Sequence, residues 1–208
     1  MSRLLLLVAA VLCLWSAVGL ASEPAAHASV AGTSRWWRLD CGRAPACTFT
    51  VALRGRIEGS RLFLIERASE RRAAVARALG RPVALRVDVD SAGGEVFAAL
   101  EIGRALRAEG ASIAVAPDAS CLSACVFVLM GARERRIAPG ARVGIHRPSV
   151  DADRPALAAA LSGALALYAD EMDVPRGIVD AMMSVPPDRM RELGPAALAR
   201  YGLVTDPR

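Results

Sequence analysis

Val83-Ala84-Leu85-Arg86-Val87-Asp88-Val89-Asp90-Ser91-Ala92-Gly93-Gly94 is the stretch that decides the fold. Cys121-Leu122-Ser123-Ala124-Cys125 and Gly144-Ile145-His146-Arg147-Pro148 follow it in the chain. Val83, Leu85, Val87 and Val89 alternate with Ala84, Arg86, Asp88 and Asp90, the period of a half-buried strand. Two glycines then end it, where the backbone can take conformations closed to other residues and its bare N–H groups can be approached closely. From about Glu95 the spacing of Val96, Leu100, Gly103 and Leu106 predicts an amphipathic helix, with Glu101, Arg104 and Arg107 elsewhere on its surface. Ser112 to Ala116 reads as a second strand. Ser123 then opens an apolar run from Ala124 to Met130 that is hydrophobic all round, as a buried helix is. A serine there sits in the positive end of the helix dipole.

Strand, SAGG, amphipathic helix, strand, CLSAC at a buried helix, a short hairpin and a strand ending in IHRP: this order resembles the proteolytic subunit of Clp protease and its exported relatives, within the ClpP/crotonase superfamily. The resemblance extends from about Thr48 to Thr205 and is strongest between Asp88 and Pro148. It implies an α/β fold, a ClpP/crotonase-like spiral of β-β-α units with C-terminal helices. Carried over by position, it implies Ser123 as nucleophile, His146 as base, and the Gly94 and Ala124 amides as an oxyanion hole. It also implies self-association, because the family forms rings. The sequence departs from the family in having SAGG where the protease usually has a proline, in the two cysteines flanking the serine, and in a slightly shorter hairpin between serine and histidine. Each departure leaves the reacting groups in place and points away from the cytosolic protease.

A chain of 208 residues with 54% hydrophobic composition suits one domain with a real core. Met1 to Ala21 carries one charge, Arg3, then an apolar block from Leu4 to Leu20 and small residues at Gly19 and Ala21, the pattern of a cleaved signal peptide. The alternative is an uncleaved N-terminal membrane tether formed by residues 4–20. Export to the periplasm, or anchoring facing it, is the expectation in either case. Residues 22–35 lack a hydrophobic period and read as a flexible lead-in, with the domain at 36–208. Trp36-Trp37 reads as part of a first strand, Thr48 to Ile57 as a strand and Arg61 to Leu79 as a helix with Glu66, Arg67, Glu70, Arg71 and Arg72 on a solvated face.

Four cysteines beyond the signal segment allow three disulfide connectivities in an exported chain. Cys41–Cys47 with Cys121–Cys125 is the expected pairing, the second spanning the turn of Ser123; buried free thiols are the alternative. The net charge of +5 points to no nucleic acid, because the arginines are scattered among acids, and the Arg133-Glu134-Arg135-Arg136 run reads as a solvated loop.

The inventory of reacting groups is narrow. All 26 basic side chains are arginine, which excludes a Ser-Lys dyad, a Schiff base and a lysine-bearing phosphate loop. Of two histidines, His27 falls in the lead-in, so His146 is the only imidazole of the domain and no His-rich metal site can form. No metal or other cofactor is expected. A serine hydroxyl attacks a carbonyl usefully at neutral pH only when a base removes its proton, and the resulting oxyanion needs aimed donors. Ser123, His146, Gly94 and Ala124 supply those parts.

The third member of a triad would come from Asp170, Asp173, Asp180 or Asp188. The family places its aspartate before a short helix and a Tyr-Gly-Leu-Val ending, and Asp188 precedes Pro195 to Ala199 and Tyr201-Gly202-Leu203-Val204 in that way. After Pro148, helices are expected over about Asp153 to Met172 and Val174 to Met183, the first with an alanine- and leucine-rich face able to pack or oligomerise. The sequence therefore reads first as an exported, ATP-independent serine peptidase acting on peptides or unfolded protein segments. A catalytically inactive binding or assembly module is the alternative. A crotonase-type acyl-CoA enzyme comes third, because coenzyme A is not expected outside the cytoplasm.

Overall fold

A computed structural model describes residues 30–33, 36–42, 45–149 and 154–205. The signal segment 1–21, His27 and most of the lead-in fall outside them. The chain enters with β1 (Val30–Thr33), β2 (Trp37–Cys41) and β3 (Cys47–Arg54), and α1 (Ser60–Leu79) leads to β4 (Val83–Asp90). Then come α2 (Val96–Ala108), β5 (Ser112–Val115), β6 (Ser120–Leu122), α3 (Cys125–Gly131), β7 (Glu134–Ile137) and β8 (Arg142–Ile145). The described part closes with α4 (Pro155–Glu171), α5 (Gly177–Met183), β9 (Arg191–Glu192) and α6 (Pro195–Arg200).

Two sheets carry the strands. One has the order β1-β2-β3-β4-β5-β7, parallel from β3 through β7, and the other the order β6-β8-β9. The alternation along β4 is kept: Val83, Leu85, Val87 and Val89 are buried and the residues between them face outward or lie half-exposed. All seven residues of α3 are buried. That helix needs small residues to fit, because a Cβ on Gly131 would lie 2.4 Å from Gly103 Cα. Tyr168 of α4 closes the same junction by donating its hydroxyl to the Phe127 carbonyl at 2.8 Å.

Four expectations change. Val30–Thr33 is a strand paired antiparallel to β2, not flexible lead-in; an edge strand needs only backbone partners, so no hydrophobic period announces it. Residues 134–145 do not form a hairpin. β7 joins the large sheet and β8 the small one, because the turn closed by Ala141 N–H to the Ala138 carbonyl, with Gly140 at φ +86°, passes the chain between sheets. Arg135 is not solvated: it is 6% exposed and its guanidinium donates to the Met130 and Ala132 carbonyls at the end of α3. Nor do Arg71 and Arg72 simply face water. Arg71 lies over the Trp37 ring at 4.8 Å, while Arg72 donates to the Val83 carbonyl and pairs with Glu109. Trp37 itself stacks on Phe49, ring centroids 5.0 Å apart. Cys41–Cys47 and Cys121–Cys125 are both bonded, as expected.

Candidate active site

Where β4 ends, the buried Ser91 accepts the Gly93 N–H on its hydroxyl at 3.1 Å. This local bond turns the backbone out of the sheet as a serine at a turn does, and gives Ser91 a role that sequence reading had not assigned. Gly93 takes φ +103° and Gly94 φ +155°. Neighbouring backbone holds the turn from both sides: Ile57 N–H donates to the Gly93 carbonyl, and Glu95 N–H donates to the Ile57 carbonyl, each at 2.9 Å. A Cβ on Gly94 would come within 2.1 Å of the Ile57 carbonyl oxygen, so only glycine fits.

Ser123 sits between β6 and α3, and its backbone has φ +56°. Three described non-glycine residues have positive φ. Two are aspartates, Asp118 and Asp173, which tolerate the left-handed region; Ser123 is the third. Strain of this kind persists only where the surroundings enforce it, and it clusters at functional sites. A serine at a sharp strand-to-helix turn has its hydroxyl lifted clear of the sheet. The enforcing contacts are the Ser123 N–H to the Gly144 carbonyl at 2.8 Å, the Val126 N–H to the Ser123 carbonyl at 3.0 Å, and the Cys121–Cys125 bridge across the turn. Strand β6 is tied in by the Ser91 N–H to the Ser120 carbonyl and the Leu122 N–H to the Ser91 carbonyl.

These ties stack the glycine turn on the serine. A Cβ on Gly93 would lie 2.8 Å from Ser123 Cβ and 3.1 Å from the Ala124 nitrogen. Among the described residues, neither the Gly94 nor the Ala124 N–H is given to a backbone carbonyl. Gly94, Ser123 and His146 line one cleft of about 400 Å³, together with Gly55, Arg56, Ala92 and Gly93. Arg56 was missed in the sequence because the strand was expected to run on to Ile57, whereas β3 stops at Arg54 and Gly55 takes φ +79°.

His146 lies just beyond the end of β8. Its Nδ1 is 2.8 Å from the Arg147 carbonyl. A carbonyl oxygen only accepts, so Nδ1 carries the hydrogen, and in a neutral imidazole the lone pair is then on Nε2. Ser123 and His146 share the cleft without a hydrogen bond between them among the described residues.

The carboxylates are placed less directly. Asp170 is paired with Arg176 and Asp173 with Arg107, and Asp180 is exposed on α5. Asp188 lies exposed in the turn closed by the Arg189 N–H to the Pro186 carbonyl and makes no hydrogen bond to His146. Its loop is nonetheless pinned on either side of the histidine: Arg147 N–H donates to the Val185 carbonyl, and Arg191 pairs with Ile145.

With this geometry in view, residues 78–161 match the Clp protease family. The match contains Gly94, Ser123 and His146 and ends before Asp188. No curated protein matches the chain in sequence. Among solved structures the chain is similar to a serine-to-alanine mutant of the 1510-N membrane-bound stomatin-specific protease, with 19% identity, TM-score 0.60 and 79% of each chain covered. A second mutant of that protease, in complex with a substrate peptide, gives 20% identity and TM-score 0.59 over 74% of this chain and 72% of that one. ClpP1 from Listeria monocytogenes gives 17% identity and TM-score 0.57, covering 74% of this chain and 88% of that one. The chain thus shares the mixed α/β fold of Clp-type proteases, and its residues 78–161 are similar to the Clp protease family.

Proposed function

We propose that this chain is an exported serine hydrolase that cleaves peptide bonds through an acyl-enzyme without ATP. The observation that carries the reading is Ser123 held at φ +56° against a glycine turn, sharing a cleft with Gly94 and His146, with the Gly94 and Ala124 amides unspent on backbone carbonyls among the described residues. His146 Nε2 takes the Ser123 proton as Oγ attacks the substrate carbonyl. The Gly94 and Ala124 N–H groups receive the charge that develops on oxygen, and the protonated histidine then releases the leaving amine. Water repeats the sequence on the acyl-enzyme.

The N-terminal block 4–20 supports export, by cleavage near Ala21 or as a tether, with the folded domain following. An exported chain meets no ATP-driven unfoldase, so its substrates are peptides or already unfolded segments. Exposed apolar side chains on and beside α4, Leu157, Leu167 and Phe97, support self-association through that face.

The competing reading, a non-catalytic binding module, draws on the missing Ser123–His146 hydrogen bond and on a backbone carbonyl rather than a carboxylate at His146 Nδ1. Intact-mass analysis after exposure to a fluorophosphonate probe separates the two. A single adduct on Ser123, absent from Ser123→Ala and His146→Ala, is the expected result. Folded protein that takes no adduct would establish the binding module instead.

A further inference from the structure

Most of the cleft wall is bland. Gly55, Ala92, Gly93, Gly94 and Ser123 present nothing longer than a methyl or hydroxymethyl group. Selection among substrates in this cleft therefore falls to its two long side chains, and one of them, His146, serves as the base. The other is Arg56.

The backbone of Arg56 stands next to the machinery. Ile57, the following residue, bonds through both its N–H and its carbonyl to the glycine turn, at Gly93 and Glu95, so Arg56 keeps a fixed place beside the Gly94 amide. Its guanidinium is held only loosely. Glu58 Oε1 lies 3.8 Å from Nε, with the two side chains 69% and 49% exposed, a pair that water and salt readily replace. Among the described residues, no carboxylate lines the cleft itself. A guanidinium offers a planar fork of donors that matches a carboxylate in two parallel hydrogen bonds.

We infer that Arg56 is a specificity-determining residue that reads a carboxylate on the substrate, from an acidic side chain near the scissile bond or from the chain terminus. This rests on the hydrolase reading above. Arg56 takes no part in proton transfer. It pairs with the substrate while the carbonyl settles between Ser123 and the two amides.

The test uses internally quenched peptides in matched pairs, Glu against Gln at each of three positions on either side of the cleaved bond. Each peptide is made as C-terminal acid and as C-terminal amide, and kcat/KM is measured for each. The wild-type protein is expected to prefer the carboxylate at one position, or at the terminus, by about fivefold, with the ratio shrinking as salt is added. Arg56→Gln should abolish that ratio and Arg56→Glu should turn it toward a Lys-bearing peptide, both variants being checked for folding by circular dichroism. Wild-type ratios of one throughout, or a preference that survives in Arg56→Gln, would overturn the inference. Ser123 labelled by the fluorophosphonate without any carboxylate preference sinks this inference alone; failure of folded wild-type protein to label removes the hydrolase reading and the role of Arg56 with it.

Discussion

Cutting the Cys121–Cys125 bridge should cost the domain stability and its serine readiness, and the two losses are separable. The perturbation is Cys121→Ala with Cys125→Ala. The bridge joins residues four apart in sequence, both fully buried, and closing so short a loop stabilises a fold by about 2 kcal/mol in the chain-entropy treatment. For a domain of this size that is a fall in Tm of roughly 4–8 °C, before any loss of sulfur packing. The local effect is different in kind. Ser123 in the left-handed region carries about 1–2 kcal/mol of strain, and the bridge is one of three restraints holding it there, beside the Gly144 and Val126 hydrogen bonds. Releasing strain of that size shifts the serine out of its reactive conformation by about tenfold. The second-order rate of fluorophosphonate labelling at Ser123 should fall by that factor. Cys41→Ala with Cys47→Ala is the control: its loop spans six positions at the far end of β2 and β3, so it should lower Tm by a similar amount and leave labelling unchanged. A Cys121/Cys125 double variant that melts early but labels within twofold of wild type would refute the reasoning and leave the elbow to its hydrogen bonds.

Gly94→Ala would drive a Cβ into the Ile57 carbonyl, 2.1 Å away, and tilt the Gly94 amide; hydrolysis should fall by about a hundredfold or more in steady-state assays. Asp188→Asn is expected to change labelling less than about threefold, because the Arg147 carbonyl already holds His146 Nδ1; a fall of two orders of magnitude would put the carboxylate in the triad. Arg135→Met removes donors from the Met130 and Ala132 carbonyls and should cost about 2 kcal/mol or more in urea unfolding. Burial, with the charge of Arg107 adding to it, pulls the Arg135 pKa down from the ordinary arginine range to about 10. Above about pH 10 the unfolded chain binds the proton more tightly, so stability attributable to Arg135 rises with pH there and is flat below it. A pH dependence near neutrality that disappears in Arg135→Met would contradict this.

The parts of the fold that were legible in sequence are those whose signal is local. Val83 to Val89 alternates because one face of β4 is buried, and Ala124 to Met130 lacks any polar residue because α3 is buried all round. The paired glycines announce a close approach of backbone. The approach of the glycine turn to Ile57 and Ser123 is what the structure supplies. What stayed hidden depends on which neighbour each residue meets once the chain is folded. β1 is recognised by its backbone pairing with β2. Strands β7 and β8 look like the arms of a hairpin until their separate partners, β5 and β6, are known. Arg135 and Arg72 resemble surface charge because the carbonyls that hold them, at Met130, Ala132 and Val83, belong to other elements. Arg56 became visible as a cleft residue only once β3 was seen to stop short of it.

The strain at Ser123 has to be balanced by something rigid, and α3 has few local means of rigidity: it has seven residues and no side-chain cap at its N-terminus. A helix so short is not stable by propensity. Its firmness comes from outside. Gly131 lets α2 approach to contact distance, Tyr168 anchors the Phe127 carbonyl, and the guanidinium of Arg135 occupies the carbonyls at its far end, with Arg107 reaching the Met130 and Met172 carbonyls beside it. Two cations at the C-terminus of a helix also oppose its negative dipole end. The turn of Ser123 is therefore braced against a helix fixed at both ends, by β6, Ser91 and the disulfide in front and by arginines and a tyrosine behind. Substitutions at Arg135, Gly103 and Tyr168, which do not line the cleft, should reach the serine through α3, whereas the exposed face of α1 has no such route.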